Sequence, residues 1–575
     1  MLISIFFQAV LFVVHAVAAQ NSTFSNPILP GFHPDPSCIF VEELDSTFFC
    51  VTSTFLAFPG IPVYSSKDLK NWNLISHVFN HPSQYPGLGK VLTASSEGGI
   101  WAPTIRRHDG TFYVAATLVD YYEPEKRTFI NLVFTSIDPS NDDAWSDPVE
   151  IDMHGVQAID PDLFWDDDGQ AYMLTGWRKI YQSAVDLQTG ASSNPVNVWK
   201  GTGAEKPEGP HMYKKDGHYY LLVAQGGTGI THSVAIARSD HVSGPFEGYT
   251  GNPILTAKDT LNFFQCVGHA DLFQDANGRW WGVALSTRSG PEYRSYPMGR
   301  ETVLYPVTWD DEWPGLDPVY GNMKGWEMPG ISQQPSSDQQ ATRGSESVDF
   351  KPGSSIPPHW KFWRFPEPSS YTISSPEHPN SLELSPSSSN LTGILTEAHP
   401  ITLISRRQTA SLFNFSVDIE FSPTEAGEEA GVSIFLTQLQ HIDLSIQLAK
   451  NGSQVLRLQT TAYGKPNLEP PVPRTLNLPR SWTGEKLRMY IEARDPTIYS
   501  FHMARTNDPL DVRQFGNVSA EYVTGGSGSY TGTLIAAYNT NNNGTGTAKA
   551  WISRWRYLPL AQEVARGVFE PVNNA

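Results

Sequence analysis

The stretch AIDPDLFWDDDGQAY, Ala158–Tyr172, places Asp160 nine positions before a turn glycine, Gly169, which in turn lies three positions before an aromatic, Tyr172. The same layout recurs as Trp101/Gly110/Tyr113, Glu208/Gly217/Tyr220 and His269/Gly278/Trp281, with Asp35, Asp45 and Phe49 as a looser fifth copy. Each copy reads as a β-hairpin. An irregular period of roughly 50 to 65 residues made of paired strands is how propeller blades repeat in sequence, so five copies predict five blades. Equivalent repeat positions meet at one axis, and Asp35, Trp101, Asp160, Glu208 and His269 are therefore expected to converge. Three carboxylates, an indole and an imidazole at one mouth suggest an active site.

The other parts of the chain differ in composition. At 575 residues the chain exceeds one ordinary domain, and two domains fit best. Residues 20–330 hold the hairpins. Residues 331–349, around SQQPSSDQQATRGSES (332–347), carry almost no large apolar side chain and read as a linker or surface loop. Across 350–562, period-2 apolar runs return at Phe413–Phe421, Gly431–Leu436, Ile442–Leu448, Val455–Thr460, Lys486–Ala493, Tyr499–Ala504, Gly532–Tyr538 and Ala548–Tyr557, the pattern of an antiparallel sandwich. No helix of any length is evident. The expected fold class is all-β, a five-bladed β-propeller followed by a β-sandwich domain.

The first nineteen residues, MLISIFFQAVLFVVHAVAA, are uncharged and end in small residues, as a secretory signal does. N-x-Ser/Thr acceptors at Asn21, Asn390, Asn414, Asn451, Asn517 and Asn543 agree with that route, which predicts a secreted, extracellular glycoprotein. Three cysteines cannot supply a disulfide framework. Cys38 and Cys50 flank the first hairpin turn, as a cross-strand bridge or as two thiols. A formal charge of −19 disfavours nucleic acid and anionic membrane and predicts a neutral partner. Flat aromatic faces suit sugar rings, although most of the sixteen tryptophans are expected to pack between blades.

Cleaving a glycosidic bond needs two carboxyl groups, one to protonate the leaving oxygen and one to act on water or on the anomeric carbon. Asp35, Asp160 and Glu208 supply two and a spare. The segments NPILPGFHPDPS (Asn26–Ser37), GIWAPT (Gly99–Thr104), AIDPDLFWDDDG (Ala158–Gly169), EGPHMYKKDGHYYL (Glu208–Leu221), GHADLF (Gly268–Phe273) and GRETVLYPVTW (Gly299–Trp309) resemble glycoside hydrolase family 43 in order and spacing. The tail is similar to the concanavalin-like sandwich of its β-xylosidase and α-L-arabinofuranosidase members. This resemblance implies an inverting, exo-acting glycosidase on xylan, arabinoxylan or their oligosaccharides, with xylose or arabinose as the released sugar.

It further implies that Asp35 is the general base, Glu208 the general acid, and Asp160 the residue that orients the acid and raises its pKa, with Asp162 a second candidate for that role. Phe32, Trp101, His269 and Arg300 are implied around the sugar. His269 either reaches a structural calcium ion or ordered water beneath the acids, or is a core histidine bonded to backbone. No cofactor is required by this chemistry, and neither an HExxH motif nor a Cys/His cluster marks a catalytic metal. Rival readings are a retaining fructan hydrolase, which shows a WMNDPNG-like start and an RDP segment where this chain has FHPDPS and AIDPD, a carbohydrate-binding propeller that has lost catalysis, and an arabinan-degrading enzyme of the same family.

Overall fold

A computed structural model describes residues 22–93, 97–123, 126–324, 327–329, 343–393, 397–465 and 467–572. The expected signal segment and most of the expected linker lie outside these residues. Among the described residues regular structure is strand, with only short 3-10 turns and no α-helix.

Five antiparallel sheets follow one another in chain order. Their first strands are Ser37–Val41, Gly99–His108, Ile159–Trp165, Glu208–Lys215 and Phe264–Gln274. Each pairs with the next strand through the hairpin turn read from the sequence, and further strands are added outward. The five first strands also touch their neighbours, first with second and so on round, with the fifth against the first, so they form a closed ring. The N-terminal segment stitches the ring shut. Leu29 bridges Thr302 of the fifth sheet, and the Asn26 side chain both donates to the Leu304 carbonyl (2.9 Å) and accepts from its N–H (2.9 Å). In the first sheet Cys38 lies directly opposite Cys50, and the two are bonded.

Residues beyond 345 form two packed sheets. One has the order Tyr371–Ser375, His378–Leu384, Ala550–Ala565, Leu412–Phe421, Leu487–Asp495, Ile498–Arg505, Asp508–Ser519, and the other runs Thr402–Arg407, Leu534–Thr540, Glu429–Thr437, Gln440–Leu448, Gln454–Ala462, Arg474–Asn477. All eight apolar runs named from the sequence overlap one of these strands. Their alternate side chains, among them Phe413, Phe415, Val417, Ile434, Leu444, Met489 and Ile491, fill a shared core.

The sandwich does not hang from a tether. Phe362–Trp363 pairs antiparallel with Ala57–Phe58 of the ring. The Arg407 Nε donates to the Phe32 carbonyl (2.7 Å), Lys361 to the Pro59 carbonyl (2.8 Å) and Arg364 to the Val91 carbonyl (2.6 Å). Leu403, Phe435, Leu534 and Tyr538 share one apolar cluster with Phe55, Phe58, Phe79 and Ile100. Gly299, at φ +68°, permits the closest approach, because a Cβ there would sit 1.9 Å from the Thr531 carbonyl oxygen.

Burying side chains of this size contributes roughly 1.5–3 kcal/mol each. A fragment ending at residue 329 should therefore expose Phe58 and Phe79, bind a hydrophobic dye and aggregate. A soluble fragment melting as cooperatively as the full chain would show that the interface is dispensable.

Candidate active site

A first strand with uninterrupted pairing would alternate its side chains between the two faces of its sheet. Instead the second to fifth leave the ladder near the ring's centre. Register breaks occur at Trp101/Thr104, Ile159/Asp162, Glu208/His211 and Gly268/Asp271. At each break one residue adopts the left-handed region: Ala102 (φ 41°), Asp160 (φ 58°), Gly209 (φ 55°) and His269 (φ 50°), matched by Asp35 (φ 53°) just before the first sheet. Asp35, Ala102, Asp160, Gly209 and His269 are therefore the true equivalents, and Trp101 and Glu208 sit one residue upstream. The glycine count aligned them one step off because the hairpins differ in length by a residue. A Cβ on Gly209 would also crowd the His269 ring, at 3.1 Å.

All five expected residues nonetheless line one pocket, together with Arg300. Asp35 is held from three sides. Arg300 meets it with two nitrogens (3.0 and 3.3 Å), Ser53 donates to it at 2.6 Å, and His269 Nδ1 lies 3.8 Å away. Ser53 is itself fixed by the Ala102 N–H at 2.6 Å. Asp160 accepts from the Gly209 N–H (2.9 Å), which ties it to the strand carrying Glu208, while its own N–H donates to Thr117 (3.1 Å).

Burial pushes the Glu208 carboxyl up to about 7, with the Asp35 charge adding to the rise and Arg300 opposing it. Asp160 is also raised well above the usual range, first by burial and then by the charges of Glu208 and Asp35. Burial lowers His269 to about 4, so its ring is neutral near neutral pH.

Asp162 lies one layer deeper and does not reach the pocket. Its carboxylate meets Arg106 at 2.8 Å and accepts from the Met212 N–H at 2.9 Å. Arg106 also pairs with Asp271 (2.9 Å), which accepts from Ser37 (2.6 Å) and Tyr213 (2.8 Å). Phe32 is corrected as well. It is 1% exposed and packs, tilted, behind Phe55, 5.9 Å between ring centres, with the Arg407 guanidinium 5.6 Å from its own ring. Phe55 forms the wall assigned to it.

Tyr530, from the sandwich, completes that wall, 5.4 Å from Trp101 and 6.1 Å from Phe55, and its carbonyl accepts from Arg300 Nε at 3.1 Å. Arg127, Trp177, Lys206 and Thr228 line the rest of a cavity of about 90 Å³. Nothing in the repeat singles out Phe55, Arg127, Trp177, Lys206 or Tyr530, because they lie on other strands and loops. Among the described residues no three His, Cys, Asp or Glu side chains are arranged to hold a metal ion. Calcium takes six to eight oxygen ligands, and one imidazole is not such a cage.

Residues 24–314 match the model of glycosyl hydrolases family 43, and residues 347–558 match that of the beta xylosidase C-terminal concanavalin A-like domain. The chain belongs to glycosyl hydrolase family 43. It is a glycosidase of that family, in which a β-propeller precedes a β-sandwich. This family 43 chain is 35% identical over 551 residues to the non-reducing end alpha-L-arabinofuranosidase BoGH43B of Bacteroides ovatus, covering 93% of this chain and 94% of that one. It is 30% identical over 572 residues to the xylosidase/arabinosidase 43B of Humicola insolens, covering 93% and 97%. The crystal structure of the family 43 protein BlXynB from Bacillus licheniformis superposes with a TM-score of 0.79 at 30% identity, covering 93% and 99%.

The raised Glu208 pKa has a measurable sign. Its neutral form contributes stability fully below the ordinary value of 4.5, and that contribution is lost as pH rises through about 7. Glu208→Gln, neutral throughout, should gain on the wild type between pH 5 and pH 8 by up to about 3 kcal/mol. Thermal unfolding at both pH values reads this, and a gap that does not widen would contradict a buried, raised carboxyl.

Proposed function

We propose that this family 43 enzyme releases a single terminal pentose, D-xylose or L-arabinofuranose, from xylan, arabinoxylan or their oligosaccharides by one displacement with inversion. The observation that carries this reading is the pairing of an ion-paired carboxylate, Asp35, with a carboxyl held protonated by burial, Glu208, in one small walled pocket. A general base and a general acid need opposite protonation states at the same pH.

Asp35 takes a proton from water, whose oxygen attacks the anomeric carbon. The bond to the leaving oxygen breaks, and that oxygen receives the proton of Glu208. Asp160, hydrogen-bonded to the N–H next to Glu208, positions the acid, and because the Glu208 charge raises Asp160 the two carboxyls resist being ionised together. Trp101, Phe55 and Tyr530 offer faces to the sugar, and Arg300 and His269 offer polar groups beside Asp35. Tyr530 closes the wall and supports a site one sugar deep. The names of the relatives support both pentoses. Five consecutive sheets with a closed ring of first strands support the five-bladed form. The uncharged N-terminal segment and the six acceptors support secretion.

Proton NMR of the first-formed sugar should show the anomer opposite to that of the substrate, and a retained anomer would overturn the single displacement. Asp35→Ala should lower kcat by at least about a thousandfold on every substrate, whereas Glu208→Ala should recover much of its loss on aryl glycosides with acidic phenols. The wild-type rate should fall as pH rises through about 7, where Glu208 gives up its proton. In the same assays Asp160→Asn should lower kcat and shift that pH limb. Asp162→Asn, which breaks the Arg106 pair, should act mainly on the melting temperature.

A further inference from the structure

We propose that the rim of this pocket is a subsite for a carboxylate on the departing sugar, so that the preferred leaving group carries a uronic acid. This rests on the glycosidase reading above and specifies its substrate. Two cations, Arg127 and Lys206, line the pocket that holds Glu208. Among the described residues neither is paired with a carboxylate. Arg127 is instead cradled by rings, its guanidinium carbon 4.9 Å from Trp177, 5.0 Å from Phe129 and 6.0 Å from Trp101, and it donates to the Tyr121 hydroxyl at 3.3 Å. Ring faces orient a guanidinium without neutralising it.

Lys206 is exposed and two residues from Glu208, and its backbone sits in the left-handed region at φ 51°. Arg178, next to the pocket residue Trp177, does the same at φ 67° and is also exposed. The chain carries 59 acids against 40 Lys and Arg, so a pocket edge with unpaired cations runs against its average.

The cations also face a definite part of the substrate. A general acid stands beside the leaving oxygen, Lys206 lies two residues from that acid, and Arg127 lines the same pocket. The enclosed part of the pocket takes the neutral pentose. An acidic substituent one sugar further out would meet Lys206 and Arg127 together, which departs from the neutral partner expected from net charge. The bland alternative is that the two cations only trim the proton affinity of Glu208.

The test uses the full chain carrying Glu208→Gln and three ligands: xylotriose, xylotriose bearing glucuronic acid on its second residue, and the same tetrasaccharide with the carboxyl reduced to an alcohol. Calorimetry at about 20 mM salt should give the acidic ligand about fivefold tighter binding than its reduced twin, the size expected of two exposed ion pairs. The preference should shrink below about twofold at 0.5 M salt, where the Debye length is a few Å. Lys206→Glu, at an exposed position that does not threaten folding, should abolish it, and Arg127→Met should weaken it. Equal binding of the two twins, or a preference that survives both substitutions, overturns the proposal. Wild-type turnover of aryl xyloside and arabinofuranoside separates the two readings. No turnover with the preference intact sinks the glycosidase substrate reading alone, and turnover without preference sinks this subsite alone.

Discussion

Everything at the mouth depends on one backbone constraint, the left-handed residue at the ring-centre end of each sheet's first strand. A bulge admits an extra residue and re-aims the side chains around it. Here it turns Asp35, Asp160 and His269 out of the between-sheet packing and onto a common pocket. Each non-glycine example costs on the order of 1–2 kcal/mol. The ladders on either side hold the strand in register, and the hydrogen bonds of Asp160 to Gly209 and Thr117 lock the geometry.

Directly beneath lies a second ring of polar groups, contributed by the positions two residues further along the same strands: Ser37, Thr104, Asp162, His211 and Asp271. Arg106 gathers two of the acids. Burial alone would lower its pKa, but the carboxylates of Asp162 and Asp271 outweigh that and raise it, and Arg106 with His211 holds Asp271 well below the usual range despite burial. The two layers carry opposite electrostatics. The lower layer sets Asp271 beside a cation that holds it below the usual range, while the upper layer sets three acids against Arg300, and burial there raises Glu208 and Asp160. A buried pair of this kind is sustained by the hydrogen bonds around it more than by net gain in stability.

Arg300 joins this arrangement to the second domain. It holds Asp35 with two nitrogens, donates to the Tyr530 carbonyl, and lies 5.3 Å from the Tyr530 ring and 5.7 Å from that of Phe55. The sandwich thus reaches the acids through one guanidinium, and the same loop that supplies Tyr530 passes against Gly299. Packing of the two domains and shape of the pocket are one problem, which is why the apolar cluster behind Phe55 and Trp101 draws residues from both.

Local pattern is written along the chain, so the sequence by itself determined the hairpins, the all-β class, the eight sandwich runs and the set of acids. Period-2 alternation and turn glycines need no distant partner to be read. The pairing of Cys38 with Cys50 was open in the sequence because only strand register makes them opposite. Asp160 was read from the repeat, but tertiary structure decided that Asp162, on the same side by simple alternation, lies a layer beneath the pocket against Arg106. It placed Phe55 in front of Phe32, brought Tyr530 from nearly five hundred residues beyond Asp35, and left Arg127 and Lys206 without acidic partners among the described residues. Those outcomes depend on long-range packing between surfaces, and a single chain of letters carries no distance between residues that meet only after folding.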